Sequence, residues 1–111
     1  MGDSEFLAQA EATLDAIEAA LDKLNDEDMI DVECSRSGNV LEIEFLHNGS
    51  KIIVNSQAAM KELWVASRSG GYHYRQKDGQ WTNTRDGSEL FATLSEEVSK
   101  QGGAPVVIST K

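Results

Sequence analysis

The alternation of apolar and polar residues divides the chain into two helical segments that flank a run of short strands. In the first segment, apolar residues recur every three or four positions, which predicts a long amphipathic helix. These residues are Phe6, Ala10, Leu14, Ile17, Leu21 and Leu24. Either Asp3 or Ser4 is suited to cap its N-terminus. The polar residues 25–28 then end the helix.

From Ile30 onwards the apolar period changes to two, which is typical of strands. The pattern predicts six of them, at residues 30–35, 40–46, 51–55, 63–66, 72–76 and 80–82. Turn signals separate several of these strands, namely Ser37-Gly38-Asn39, Asn48-Gly49, Ser69-Gly70-Gly71 and Asp78-Gly79. Residues 56–62 are predicted to be irregular or a helical turn.

The helical period returns after Asp86-Gly87-Ser88, with Leu90, Phe91, Leu94 and Val98 on one side, and Gly102-Gly103 ends this second helix. Residues 106–108 are predicted to form a short final strand. This order predicts a single domain over residues 1–111 of the α+β class, with two helices packed on one face of a meandering antiparallel sheet. The other sheet face would be open to solvent and to a partner.

Negative charge is concentrated in the first third of the chain. Residues 1–33 contain eleven acidic residues and one basic residue, so this segment carries −10. The remaining residues contain nine basic and eight acidic residues, a net charge of +1. The net charge of −9 therefore comes from the first segment, and it favours a cation or a basic partner and disfavours nucleic acid.

The composition excludes several other classes of protein. No apolar run approaches the length of a membrane span, and the acidic N-terminus does not resemble a signal peptide, so we expect a cytoplasmic protein with no membrane partner. The single cysteine, Cys34, cannot form an internal disulfide, and its position predicts a small buried side chain. No catalytic triad or phosphate-binding loop is present. His47, beside Asn48-Gly49, is expected to be a turn residue.

Acidic residues of the first helix repeat with the same steps as its apolar residues, one position later, so they form a stripe beside the buried face. The stripe comprises Glu11, Asp15, Glu18 and Asp22. Carboxylate oxygens suit hard cations, but no cage motif is present, because Ile30 and Asp31 break the calcium-loop pattern. The stripe is compatible with weak cation sites, with a basic partner, or with a solvated face that serves only solubility.

The two tryptophans are the remaining signal. Core packing is the usual role of such a residue. Trp64, however, follows polar residues on what is predicted to be the open sheet face, and tryptophan is enriched among the residues that dominate binding at interfaces.

The chain resembles the bacterial frataxin (CyaY) family along its whole length. The resemblance rests on the acidic first helix and on a series of short motifs: Ile30-Asp31-Val32-Glu33, Asn48 to Gln57, Leu63-Trp64-Val65-Ala66, Gly70-Gly71-Tyr72-His73-Tyr74 and Asp78-Gly79-Gln80-Trp81. It implies a frataxin-like α-β-α sandwich and an iron-binding protein of iron–sulfur cluster biogenesis.

The resemblance also assigns site residues. The iron-binding acidic ridge of the family falls on Glu11, Asp15, Glu18, Asp22, Asp26, Asp28, Asp31 and Glu33. The sheet surface that meets the assembly machinery falls on Asn55, Gln57 and Trp64.

The function that the resemblance implies is that of an iron chaperone and iron-dependent regulator, not an enzyme. It would bind Fe²⁺ or Fe³⁺ weakly, with other divalent cations as alternatives, and act on a cysteine desulfurase and scaffold complex. We expect a monomer, with iron-driven oligomers as an alternative. The second hypothesis is a ferroxidase or iron store, which the absence of paired Glu and Glu-x-x-His ligands disfavours.

Overall fold

The computed structural model describes residues 2–68, 70–77 and 79–108. Along the chain, one helix precedes and one helix follows a run of six strands. They are α1 (Asp3–Asp26), β1 (Val32–Ser37), β2 (Val40–Phe45), β3 (Lys51–Gln57), β4 (Glu62–Ser67), β5 (Gly70–Lys77), β6 (Gln80–Asn83) and α2 (Leu90–Gly102). Within these residues, neither helix is long and apolar enough to cross a membrane.

The six strands form one antiparallel sheet in which spatial order follows chain order, from β1 at one edge to β6 at the other. Successive side chains of a strand point to opposite faces. In β2 and β3 every second side chain is buried, as Ile43 and Ile52 are, and these alternate with exposed or partly exposed residues. Both helices contribute buried side chains to the same core as these strands. The predicted α+β class, with both helices on one sheet face, is confirmed.

The apolar stripe of α1 is buried as its period predicts, except that Leu24 is only partly buried. Phe6, Ala10, Leu14, Ile17 and Leu21 are each at most 1% exposed. The predicted cap at Asp3 or Ser4 is wrong, because the helix already begins at Asp3 and Gly2 occupies the cap position without a side-chain hydrogen bond. Asp3 and Glu5 instead lie in the first turn, where negative charge interacts favourably with the helix dipole.

Beyond α2 the chain does not form the predicted final strand. The backbone N–H groups of Val106 and Ile108 donate to the hydroxyls of Ser99 and Ser95, at 2.9 and 2.8 Å, so α2 side chains satisfy the hydrogen bonds that a neighbouring strand would have provided. The apolar pattern that predicted the strand reflects burial, since the side chains of Val106 and Ile108 are buried against the core.

The second helix starts later than predicted. It begins at Leu90, two residues beyond the predicted start signal Asp86-Gly87-Ser88, and the Glu89 carboxylate caps it by accepting hydrogen bonds from the backbone N–H groups of Phe91 and Ala92. Its predicted end is confirmed, because Gly103 adopts the left-handed conformation that closes the helix.

The prediction of an irregular segment over residues 56–62 is wrong in its extent. β3 continues to Gln57 and β4 begins at Glu62, and these two residues pair across the strands. Only residues 58–61 form the turn. This extension adds one more row of side chains to the open sheet face. The turn residues Ser69 and Asp78 lie outside the described residues.

Candidate functional site

The N-terminal end of the acidic ridge is partly neutralised by a basic residue from β1. The Arg36 guanidinium lies 2.6 Å from the Asp15 carboxylate and 3.9 Å from that of Glu11. Its side chain is only 17% exposed, and its Nε also donates to the carbonyl of Gly38 at 2.9 Å. Helical spacing shows that the acids form a stripe, but only the packing of α1 beside β1 brings a cation from distant sequence onto it.

The middle of the ridge borders the only cysteine. Burial, together with the negative charges of Asp22 and Glu18, raises the pKa of the Cys34 thiol to about 12. These carboxylates therefore lie close enough to Cys34 to act on it through space, which places the helical stripe above the edge strand β1. A thiol with such a pKa stays protonated at neutral pH, which agrees with the predicted role as a small packing residue.

The C-terminal end of the ridge lies where α1 passes into β1. Asp26 ends the helix, Asp28 has a positive φ of 59° in the turn, and the Asp31 carbonyl accepts a hydrogen bond from Leu46 at 3.1 Å. All three side chains are exposed. Among the described residues, none of these carboxylates forms an ion pair with a basic side chain. The charges at this end of the ridge are therefore uncompensated by ion pairs among the described residues.

Glu33 is separated from the rest of the ridge by strand alternation. Val32 and Cys34 face the core, so Glu33 points to the sheet face opposite the helices. There it lies across from Glu44 of β2, while Glu42 of the same strand is 3.7 Å from Lys51. Glu42 and Glu44 extend the negative surface onto the open sheet face. Their alternation with Leu41, Ile43 and Phe45 was the signal that could have identified them.

The ridge offers hard oxygen ligands without a defined cage. In the part of the chain that the structure describes, no three acidic, histidine or cysteine side chains come close enough to hold one ion together. Carboxylates of this kind fit iron, magnesium or calcium ions that keep most of their water ligands.

The three residues assigned to the partner surface lie together on the open sheet face. Asn55 of β3 pairs with Trp64 of β4, and Gln57 pairs with Glu62. Each of Asn55, Gln57 and Trp64 is partly exposed. Both of these cross-strand pairs extend onto β5, where Trp64 is paired with His73 and Glu62 with Arg75.

Four side chains around Trp64 form a tryptophan cluster, comprising Glu62, Trp64, His73 and Arg75. The indole N–H of Trp64 donates to Glu62 Oε1 at 2.8 Å, and Arg75 Nε donates to Oε2 at 2.7 Å. The ring of His73 stacks on the indole with centroids 4.5 Å apart and planes 10° from parallel. The sequence analysis did not assign these neighbours of Trp64 to the site. His73 and Arg75 are brought to Trp64 by the register of β5, and Glu62 was missed because residues 56–62 were predicted to be irregular.

The Glu62 carboxylate is buried although it lies on the open face, with only 4% of its side chain exposed. Burial by itself raises the pKa of Glu62, but the hydrogen bonds from Trp64 and Arg75, with the positive charge of Arg75, outweigh it and hold the pKa below the ordinary value. Glu62 is therefore an ionised group at the centre of the cluster at neutral pH.

The second tryptophan, Trp81, has the core-packing role that is usual for this residue type. Trp81 is 4% exposed, its ring contacts Phe6 edge to face at 5.9 Å, and its indole N–H donates to Thr13 Oγ1 at 2.9 Å. It ties β6 to α1 in the core. His47 lies exposed in the turn after β2, as predicted, with its Nε2 3.2 Å from the side-chain amide of Asn48.

Comparison with known proteins agrees with the resemblance. The family of frataxin-like domains matches residues 1–104. The iron–sulfur cluster assembly protein CyaY of Janthinobacterium sp. (strain Marseille) is 70% identical over 108 residues, covering 97% of this chain and 96% of that protein. A frataxin from Psychromonas ingrahamii has a TM-score of 0.80 at 31% identity and covers 98% of this chain and 99% of its own. Trimeric frataxin from the yeast Saccharomyces cerevisiae, solved in complex with ferrous iron, has a TM-score of 0.72 at 30% identity over 85% of both chains. This chain therefore belongs to the frataxin-like family.

Proposed function

We propose that this protein is an iron-binding adaptor of iron–sulfur cluster assembly, in which iron is a cargo or signal and not a resident cofactor. Its CyaY relatives carry the name of iron–sulfur cluster assembly proteins, and the yeast relative was solved with ferrous iron. The ridge would bind Fe²⁺ or Fe³⁺ through the carboxylates of Glu11, Asp15, Glu18, Asp22, Asp26, Asp28 and Asp31. Glu33, on the opposite sheet face, would bind iron apart from them. In this role the protein acts as a chaperone and regulator and catalyses no reaction of its own.

The observation that most strongly supports this proposal is the uneven compensation of the ridge. Arg36 pairs with Asp15 at one end, whereas Asp26, Asp28 and Asp31 at the other end have no basic partner among the described residues. Neutralising pairs along the whole ridge would relieve the repulsion between like charges on neighbouring turns of α1. Uncompensated carboxylates attract cations and basic protein surfaces by the same charge.

We propose that the cysteine desulfurase docks on the acidic ridge through a basic surface of its own. The scaffold side of the complex would contact the open sheet face at Asn55, Gln57 and Trp64. The two surfaces lie on one framework, since α1, which carries most of the ridge, packs beside β1, and β1 is joined through β2 and β3 to Trp64 on β4. Iron bound to the ridge would reduce its negative charge and so weaken desulfurase docking, which would make the adaptor sensitive to iron.

The test compares two double variants with equal loss of charge. Glu18→Gln with Asp22→Asn removes two ridge carboxylates, and Glu5→Gln with Glu96→Gln removes two exposed carboxylates outside it. Desulfurase affinity and Fe²⁺-induced amide shifts are both measured anaerobically. Both should fall by about tenfold or more in the ridge variant, because close charge pairs dominate such docking. Both should change less than about twofold in the control.

Ionic strength gives an independent test of the docking mechanism. Salt screens exposed charges, with a Debye length of about 10 Å at 0.1 M and about 3 Å at 1 M. Desulfurase affinity should therefore fall steeply between these concentrations. An affinity that is the same at both would contradict electrostatic docking. Oxygen consumption in stopped flow, with and without protein, tests the ferroxidase alternative, which predicts accelerated consumption.

A further inference from the structure

Glu62 is an unusual residue for the face of a sheet that is open to solvent. Its side chain is only 4% exposed because Trp64, His73 and Arg75 surround it. Taking a carboxylate out of water is unfavourable, and well-packed apolar residues in place of a buried ion pair are often at least as stable. The strand ladders around Glu62 would form without the charge, so the stabilisation from its hydrogen bonds and ion pair does not by itself require a carboxylate at this position.

The contacts of Glu62 restrict the orientations of the neighbouring Trp64 and Arg75 side chains. One oxygen accepts the indole N–H of Trp64 and also lies 3.4 Å from His73 Nδ1, while the other oxygen accepts from Arg75 Nε. An indole has a single donor, so this hydrogen bond selects one orientation of the ring. His73 then stacks on the ring held in that orientation.

The restricted side chains are also the exposed ones. Half of the His73 side chain and 58% of the Arg75 side chain are accessible, and Trp64 is partly exposed. Among the described residues, Glu62 contacts Arg75 through its Nε, so the outer guanidinium nitrogens of this exposed side chain can bind a partner. A depression of about 470 Å³ adjoins Arg75 and is lined also by Lys77 and Thr82. The face therefore presents an aromatic ring and a guanidinium in a fixed mutual arrangement.

We infer that Glu62 is a positioning residue of the sheet-face docking site, holding Trp64 and Arg75 in the arrangement that the assembly partner recognises. This inference rests on the proposed function of that face. Side chains ordered before binding lose less entropy when the partner docks, which corresponds to about 3- to 10-fold in affinity for each of the two residues. Glu62 itself need not touch the partner.

The first experiment examines the free protein. The indole N–H resonance of Trp64, assigned by its loss in Trp64→Phe, should shift and broaden in Glu62→Ala. Glu62→Gln retains an oxygen acceptor at the same position and should keep the resonance close to that of the native protein. Glu42→Gln is the matched control, because it removes a carboxylate from the same sheet face next to Lys51 and should leave the resonance unchanged. An unshifted resonance in Glu62→Ala would overturn the inference.

The second experiment measures affinity for the desulfurase–scaffold complex. Glu62→Ala should bind about 10-fold or more weakly, and Glu62→Gln should recover part of the loss. Glu96→Gln, which removes an exposed α2 carboxylate outside the ridge, should bind within about twofold of the native protein. If Glu62→Ala binds normally while Trp64→Ala does not, the positioning role is wrong and the docking face stands. If Trp64→Ala also binds normally, the proposed docking face itself is wrong. If Glu62→Ala does not fold, Glu62→Gln serves as the test. It removes the charge that holds Arg75, so it must bind more weakly than the native protein if the inference is correct.

Discussion

Arg36 partly neutralises one end of the acidic ridge and not the other, so its substitution distinguishes the two ends experimentally. Its guanidinium lies 2.6 Å from Asp15 and 3.9 Å from Glu11, both of which are on α1. Arg36→Gln removes this positive charge and leaves the two carboxylates facing each other at i,i+4. Lys51→Gln is the matched control, because it also removes one positive charge next to a carboxylate, that of Glu42, but away from α1.

The expected loss of stability is modest. The Asp15 side chain is 66% exposed, so its ion pair with Arg36 contributes only about 0.2–1 kcal/mol after solvent screening. Repulsion between the uncovered carboxylates of Glu11 and Asp15 adds about 0.2–0.5 kcal/mol. We therefore expect Arg36→Gln to lower the free energy of unfolding by about 1 kcal/mol, equivalent to about 4–8 °C in the melting temperature of a domain of this size.

The same substitution should strengthen cation binding at this end of the ridge. Two unit charges 4 Å apart in water interact by about 1 kcal/mol, or about fivefold in affinity. In a Mg²⁺ titration followed by amide shifts, residues 9–17 should therefore saturate at lower cation concentration in Arg36→Gln. Residues 26–33 should titrate as in the native protein.

Both effects should shrink at high ionic strength, because the interacting groups are exposed. The reasoning would be refuted if Arg36→Gln and Lys51→Gln changed the titration of residues 9–17 equally, since net charge alone would then explain the result. It would also be refuted if Arg36→Gln left these residues unresponsive to Mg²⁺.

Further predictions concern the thiol, the pH response, the helix end and salt. Cys34, with a pKa raised to about 12, should react with a thiol reagent at pH 8 at least tenfold more slowly than a free cysteine, and faster in Asp22→Asn. The pKa of Glu62 is lowered in the folded state from 4.5, so its stabilisation is present above pH 4.5 and is lost as pH falls through the lowered value. In urea unfolding, the native protein should therefore be more stable than Glu62→Gln at neutral pH, and this difference should shrink as the pH falls below 4.5. Gly103→Ala should lower the unfolding free energy by about 1 kcal/mol in urea, because φ is 74° at this position. Adding NaCl or Mg²⁺ should raise the melting temperature by relieving repulsion on the ridge, and calorimetry showing no change would contradict a clustered ridge.

Much of the fold followed from local patterns. The 3.6-residue period of α1 identified its buried face residue by residue, from Phe6 to Leu21. The two-residue period identified the inward side chains of β2 and β3. Periods are informative wherever an element has one buried side, because burial on that side constrains each successive position.

Local patterns failed where a distant part of the chain satisfied the backbone. Residues 106–108 have the composition of a strand, yet their N–H groups are bonded to Ser95 and Ser99 of α2. Apolar composition reports that a segment is buried, but it does not specify which hydrogen-bond partners the segment finds. The cap of α2 by Glu89 was missed for a related reason, since glutamate is not a preferred residue at that position.

The sequence by itself determined the acidic character of the first 33 residues, the helical spacing of Glu11, Asp15, Glu18 and Asp22, and the resemblance that assigns them to iron. The tertiary structure decided which of these charges remain uncompensated, because Arg36 reaches Asp15 only when β1 packs beside α1. It also assembled the cluster of Glu62, Trp64, His73 and Arg75. Charge and period are properties of neighbouring positions and can be read along the chain, whereas contacts between strands depend on register, which the complete sheet fixes.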